Sequence, residues 1–192
     1  MSTVYAVWGE AAAIADDTLV DADKAMILDA SVDTVKIITM TQLRRLLVGG
    51  GAPVSAAAAT LTVASASHAG RTVTFDRAAG TTATLPAATG SGDRYRFVTG
   101  VAVSGGSTII QVTGNDVMYG YVLANSTGDT PDLAQPWPTA ADSDTITLNG
   151  TTTGGAAVGD WIELEDIATD KWAVRGWITA SGTEATPFSA AV

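Results

Sequence analysis

Cysteine is absent from the chain, and with it go disulfide staples and thiolate metal sites. The redox compartment is left open by that absence. Charge is scarce too: charged residues make up 16% of the sequence against about a quarter in a usual soluble domain, and aromatics only 6%. Basic residues number 10 against 20 acidic ones, so the net charge is −10. That balance argues against a nucleic-acid partner, which needs basic patches to displace counterions. The acidity serves solubility, or it complements a basic partner surface. No run approaches the ~18–20 apolar residues of a membrane span. The start, MSTVYAVWGEAAAIADD, lacks the basic segment of a secretory signal. The expectation is a soluble protein made in the cytoplasm, with no membrane partner. Collagen-like Gly-X-Y tracts and long heptad runs, the marks of a fibrous shaft, are missing as well.

Thr, Ser, Ala and Gly fill the space that charge and aromatics leave. The organising stretch is His68–Val98. Arg71–Phe75 alternates as a half-buried strand does, Arg77–Gly80 supplies a turn, and Thr81–Leu85 alternates again. Pro86, with no amide donor, ends that run, and Arg94–Val98 resumes the alternation after a glycine-rich joint. These segments read as consecutive antiparallel strands. Further strands are expected at Leu61–Val63, Thr108–Val112, Val117–Leu123, Asp144–Leu148, Asp160–Ile167 and Lys171–Thr179. The last two form a hairpin across the ATDK turn, in which Trp161, Trp172 and Trp177 cluster to anchor the core or a seam between subunits. Asn125–Asp142, with Pro131, Pro136 and Pro138 around Trp137, reads as a long loop. The fold class predicted for residues 56–192 is mainly β, an antiparallel β-sandwich or barrel-like domain.

Residues 1–48 read as an arm followed by a small attachment module. Tyr5, Val7 and Trp8 lie in the arm, where exposed rings need cover from the chain's own core or from a neighbour. Asp16, Asp17, Asp21 and Asp23 lack the spacing of a calcium loop and read as a solvated turn. Ala25–Leu28 and Thr34–Ile38 are expected to pair as a hairpin. Thr39 and Gln42 have capping-box spacing, and Met40, Leu43, Leu46 and Leu47 share one face of the helix that follows, up to Gly49. Arg44 and Arg45 lie off that face near the helix C-terminus, where they complement its dipole. A helix under three turns does not persist alone, so its leucines must pack on the hairpin or on the same helix of another copy. Gly49–Pro53 marks a joint, and residues 49–55 are taken as the linker.

Little in the sequence is assembled for chemistry. His68 is the sole histidine and lacks a G-x-S-x-G nucleophile or an obvious orienting carboxylate, so it reads as structural or exposed. Glu163 and Glu165 lie two apart on one strand, a spacing that a glycosidase pair permits. Trp161 precedes them on the same face, which favours a solvated or interfacial side, with Ile162, Leu164 and Asp166 on the other. The glycine stretches lack the Lys-Ser/Thr and helix of a phosphate loop. Trp137, with Asp129 and Asp132 nearby in sequence, is a candidate for stacking on a glycan ring. No cofactor, metal or catalytic residue is expected.

Two phrases carry a resemblance: TVTFDRAAGTTATLPAATGSGDRYRF (Thr72–Phe97), and the run from Gly150 to Val174 that includes GDWIELEDIATDKWAV. Both resemble phrases recurrent in virion structural proteins of tailed bacteriophages, among them capsid decoration (cement), head-fibre and tail-fibre components. The segment DADKAMILDAS…KIITMTQLRRLL is similar to small attachment modules near the start of phage fibre proteins. The resemblance implies a homotrimer with its N-terminal part seated on the particle and a β-rich part facing outward. The short chain without a repetitive shaft favours a decoration protein that binds the major capsid protein and stabilises the assembled head. On that reading Tyr5, Val7, Trp8, Leu43, Leu46 and Leu47 are the capsid or oligomer contacts. The alternative is a short tail-fibre or receptor-binding component that touches host surface glycan through Trp137.

Overall fold

The computed structural model describes residues 24–29, 34–39, 51–127 and 134–192. The chain divides into two units, Met1–Gly50 and Gly51–Val192. In the first, the described backbone is an antiparallel hairpin of β1 (Lys24–Asp29) and β2 (Thr34–Thr39), in register from Lys24↔Thr39 to Asp29↔Thr34. It is the expected hairpin, each strand slightly longer than the apolar run that marks it. Thr39 belongs to β2, and the helix expected after it lies outside the described residues.

The second unit is mainly β, with two sheets that share one core. Its first part is β3 (Val54–Ala56), β4 (Thr60–Thr62), helix α1 (Ser65–His68), β5 (Thr72–Phe75), β6 (Thr82–Thr84), β7 (Arg94–Thr99) and β8 (Thr108–Gln111). The rest is β9 (Val117–Thr127), β10 (Ala134–Pro138), β11 (Thr145–Leu148), β12 (Trp161–Ala168), β13 (Lys171–Ser181) and β14 (Phe188–Ser189). A seven-stranded sheet runs β10-β9-β13-β12-β7-β5-β3, and a five-stranded sheet runs β14-β11-β8-β6-β4. Val73, Phe75, Phe97, Leu164 and Trp172 of the first sheet and Ala83, Ile110 and Ile146 of the second are buried together. Burying a side chain of that size stabilises the fold by about 1.5–3 kcal/mol. The Phe75 and Phe97 rings stack with centroids 5.4 Å apart.

The order of pairing corrects the expectation of consecutive antiparallel strands. From β3 to β8 the chain alternates between the two sheets, and each strand lies parallel to the one two before it: β3–β5–β7 in one sheet, β4–β6–β8 in the other. The result is a stack of three coils. A parallel pair needs a long crossover, and here the intervening strand in the opposite sheet supplies it. Period-2 alternation reports which face of a strand is buried and is silent on the direction of its neighbour, so the sequence pattern fits both arrangements. The Arg77–Gly80 turn crosses between sheets instead of closing a hairpin. Gly80 sits there at φ 79°, where an added Cβ would lie 2.0 Å from the Ser107 carbonyl oxygen. Antiparallel pairing begins later: β12 joins β7 to β13, β11 lies on β8, and β14 on β11.

Three smaller expectations change. Residues 125–142 are not one loop, because β9 runs on to Thr127 and β10 pairs with it from Ala134↔Asn125 to Pro138↔Tyr121. The two prolines of β10 are tolerated because it is an edge strand, with one side free of ladder bonds. Val54 and Ser55, placed in the linker, lie in β3 on β5. The three tryptophans of the β12–β13 hairpin do not cluster on one side: Trp172 is in the core, whereas Trp161 and Trp177 are register partners on the opposite face.

Buried carboxylates pin the loops. Asp166 accepts hydrogen bonds from the backbone N–H groups of Thr89, Gly90 and Ser91 and from both hydroxyls of Thr89 and Ser91. Burial works to raise its pKa, but those donors prevail and hold it at about 2. Asp160 accepts from Gly155 N–H, Thr179 N–H and the Thr179 hydroxyl, yet burial prevails and its pKa is raised.

Candidate binding face

The outward side of the seven-stranded sheet is built by alternation. With Tyr95, Phe97, Ile162, Leu164, Trp172 and Val174 turned to the core, the intervening residues of β7, β12 and β13 must face out. The strand registers then set them in three rows. One row is Arg94, Glu165, Ala173 and Tyr119. The next is Thr72, Arg96, Glu163, Arg175 and Tyr121, and the third is Thr74, Val98, Trp161, Trp177 and Leu123. Cross-strand neighbours sit about 4.8 Å apart, and rows about 6.7 Å apart.

Two ion pairs cross this face. Arg94 Nη2 donates to Glu165 Oε1 at 2.9 Å, and Arg175 Nη2 donates to Glu163 Oε1. The Glu165 hydrogen bond and charge push the Arg94 guanidinium above its ordinary pKa. Arg96 behaves differently. Its guanidinium carbon lies 4.6 Å from the centroid of the Trp161 ring, a cation–π contact. Its register partner Glu163 is engaged by Arg175.

Large rings are left open at the other end of the face. Tyr119 is 43% exposed, Tyr121 54% and Trp177 40%. Gly120, between the two tyrosines, has φ 146°, and an added Cβ would lie 2.0 Å from the Val174 carbonyl oxygen. Exposed aromatic rings among arginines on a rigid sheet have the composition of a recognition surface.

The sequence-predicted residues are placed as follows. Tyr5, Val7, Trp8, Leu43, Leu46 and Leu47 lie outside the described residues, as do the aspartates 16, 17, 21, 23, 129 and 132. Trp137 is on edge strand β10, partly buried and packed against the core, and its Nε1 has no hydrogen-bond partner among the described residues. His68 is 8% exposed at the end of α1, with Nδ1 3.0 Å from the Ala64 amide nitrogen, a structural cap. Glu163 and Glu165 share a face with Trp161 as expected, each paired with an arginine, and both line one recess with Ala173, Val174 and Arg175. Among the described residues no group of three or more His, Asp and Glu side chains could hold a metal ion. No helix among them is long and apolar enough to cross a membrane.

Sequence reasoning missed Tyr119, Tyr121, Arg94, Arg96 and Arg175. The signal was present as Tyr-Gly-Tyr and Arg-Tyr-Arg, since residues two apart on a strand share a face. What joins these pairs is strand order, which brings β9 beside β13 through an eleven-residue parallel ladder that alternation does not announce. Compared with models of known protein families, with curated proteins and with solved structures, the chain matches none.

Proposed function

We infer that this chain is a structural component of a tailed-bacteriophage virion, a capsid decoration protein that binds and stabilises the assembled head as a homotrimer. The observation that carries the reading is the group of rings at Tyr119, Tyr121 and Trp177 on the paired strands β9 and β13, 43%, 54% and 40% exposed. Open rings on paired strands suit docking against another protein, where Tyr, Trp and Arg contribute most of the binding energy. The resemblance of Thr72–Phe97 and Gly150–Val174 to phage virion proteins supplies the class of partner, the major capsid protein. The engagement of Glu163 and Glu165 by arginines supports a binding role over hydrolysis.

No bond is made or broken in this function. Copies bury apolar surface across capsomer junctions, and the linked contacts of a trimer convert modest single affinities into avidity. Binding only the assembled shell stabilises that state by mass action. The arm residues Tyr5, Val7 and Trp8 seat on the shell, and Leu43, Leu46 and Leu47 pack near the three-fold axis. The test is co-sedimentation of purified protein with capsids that lack it, together with the mass of the free protein. Stoichiometric binding by a trimer supports the reading, and a trimer that ignores capsids transfers the role to the virion's tail.

A further inference from the structure

One end of the outward face holds a feature that capsid docking does not use. Gly70, Arg71, Thr72, Arg94, Arg96 and Glu163 line a recess of about 210 Å³ on the outward face over β5, β7 and β12. At about 30 Å³ per water this is the room of roughly seven waters, the scale of one sugar ring rather than a peptide strand.

Its charge is unbalanced. Three arginines meet one carboxylate, Glu163, which Arg175 already engages. Arg94 is paired with Glu165. Arg71 is held by neutral carbonyls, with Nε and Nη2 on the Ala52 oxygen at 3.1 and 2.5 Å and Nη1 on the Ser67 oxygen at 2.8 Å, and has no ion pair among the described residues. The Arg96 guanidinium rests on the Trp161 ring and makes no hydrogen bond or ion pair among the described residues. The face thus has three sheet arginines for two glutamates, and Arg96 is the one left over, already oriented and with its donors unengaged. A guanidinium in that state matches a carboxylate through two parallel hydrogen bonds.

We propose that this recess binds the carboxylate of an acidic sugar, with Arg96 as the recognition residue. The Glu163 carboxylate at its wall accepts hydrogen bonds from hydroxyls and repels a second acid group. The Thr72 hydroxyl adds a further polar partner. The ligand therefore combines a single carboxylate with several hydroxyls, which is the chemistry of a uronic or sialic acid. The net charge of −10 over the chain disfavours the same ligand elsewhere on the surface. A particle coated with such a protein would adhere to acidic surface glycans.

The test is titration of the free full-length protein with methyl β-D-glucuronide, followed by backbone amide NMR. The neutral methyl ester of that glycoside, inorganic phosphate and N-acetylglutamate serve as comparisons. Shifts at Thr72 and Arg94–Arg96 are expected, with affinity about tenfold weaker for the ester and for Arg96→Gln. Arg96→Lys, which keeps the charge and loses the fork, should fall between. An unchanged melting temperature in Arg96→Gln separates lost recognition from lost folding. Equal binding of the ester, undiminished binding by Arg96→Gln, or no shift with the glucuronide overturns the proposal. Phosphate or N-acetylglutamate binding as well as the sugar overturns the saccharide assignment. Capsid binding plays no part in this measurement, so it stands or fails apart from the virion role.

Discussion

The indole Nε1–H of Trp172 donates to Asp116 Oδ2 at 3.2 Å, and the same oxygen accepts from Ala88 N–H at 2.7 Å, all out of solvent. One carboxylate thus fastens the loop after β6 to the middle of the large sheet. Trp172 also packs against Tyr95, ring centroids 5.7 Å apart. Removing the carboxylate leaves two buried donors without partners, each costing about 1–3 kcal/mol. Asp116→Ala is expected to lower unfolding stability by about 2–6 kcal/mol, and Asp116→Asn by less, since the amide oxygen still accepts. Urea denaturation checks this, as a fall in midpoint at unchanged slope.

Asp166 gives the protein an acid-sensitive term. Its folded pKa, about 2, lies below the 3.8 of the free group, so its contribution is fully present above pH 4 and is lost as pH falls toward 2. Asp144, also lowered by its amide and hydroxyl donors against the pull of burial, acts in the same sense. Asp160, raised by burial, acts in the opposite one. Urea midpoints measured from pH 6 down to pH 2 should fall for the wild type and fall less for Asp166→Asn. Parallel curves for the two proteins would remove Asp166 from the account.

Gly120 is needed for its backbone. At φ 146° it lies where L side chains are strained, and an added Cβ would overlap the Val174 carbonyl in the parallel ladder. Gly120→Ala should cost about 1–3 kcal/mol and shift the flanking Tyr119 and Tyr121 rings. Thermal unfolding reports the first effect, and tyrosine fluorescence the second.

The exposed rings allow folding and docking to be separated. Tyr121→Ala and Trp177→Ala truncate rings outside the core, so stability should fall by no more than about 1 kcal/mol each. Co-sedimentation with capsids should drop by about tenfold or more, the effect of losing a contact worth over 1 kcal/mol. Wild-type binding by the double variant would move the docking surface off this sheet.

Deletion of residues 1–14 is the complementary case. Particle binding should be abolished while the circular dichroism of the β unit is kept. Binding retained by the truncated chain would defeat the assignment of Tyr5, Val7 and Trp8 to the shell.

Most strand positions were legible because each strand buries one side, but β3 reads as linker and β10 as loop. Asp160–Ile167 and Lys171–Thr179 were read nearly to their ends, and the turn between them places Asp170 at φ 59°. Partnership was another matter. Arg94 and Glu165 are far apart in sequence, and their pairing depends on β7 lying beside β12, a choice made by the packing of whole sheets. The edge position of β10 was hidden for the same reason: Pro136 and Pro138 look like loop residues until β9 is seen to leave one side bare. Asp116 and Asp160 gave little sign, because an acidic residue just before a strand usually faces water, and only the folded loops show what each carboxylate holds.

The three coils from β3 to β8 also bear on how such a protein changes length. The third coil also pairs with β12 and β11, whereas at the other end β3 and β4 are edge strands of their two sheets. A further coil could therefore be laid against that end using the same backbone pairing, leaving the outward aromatic rows and the carboxylate-pinned loops untouched. Reach would then be adjustable in steps of one strand spacing, about 4.8 Å, independently of what the face recognises.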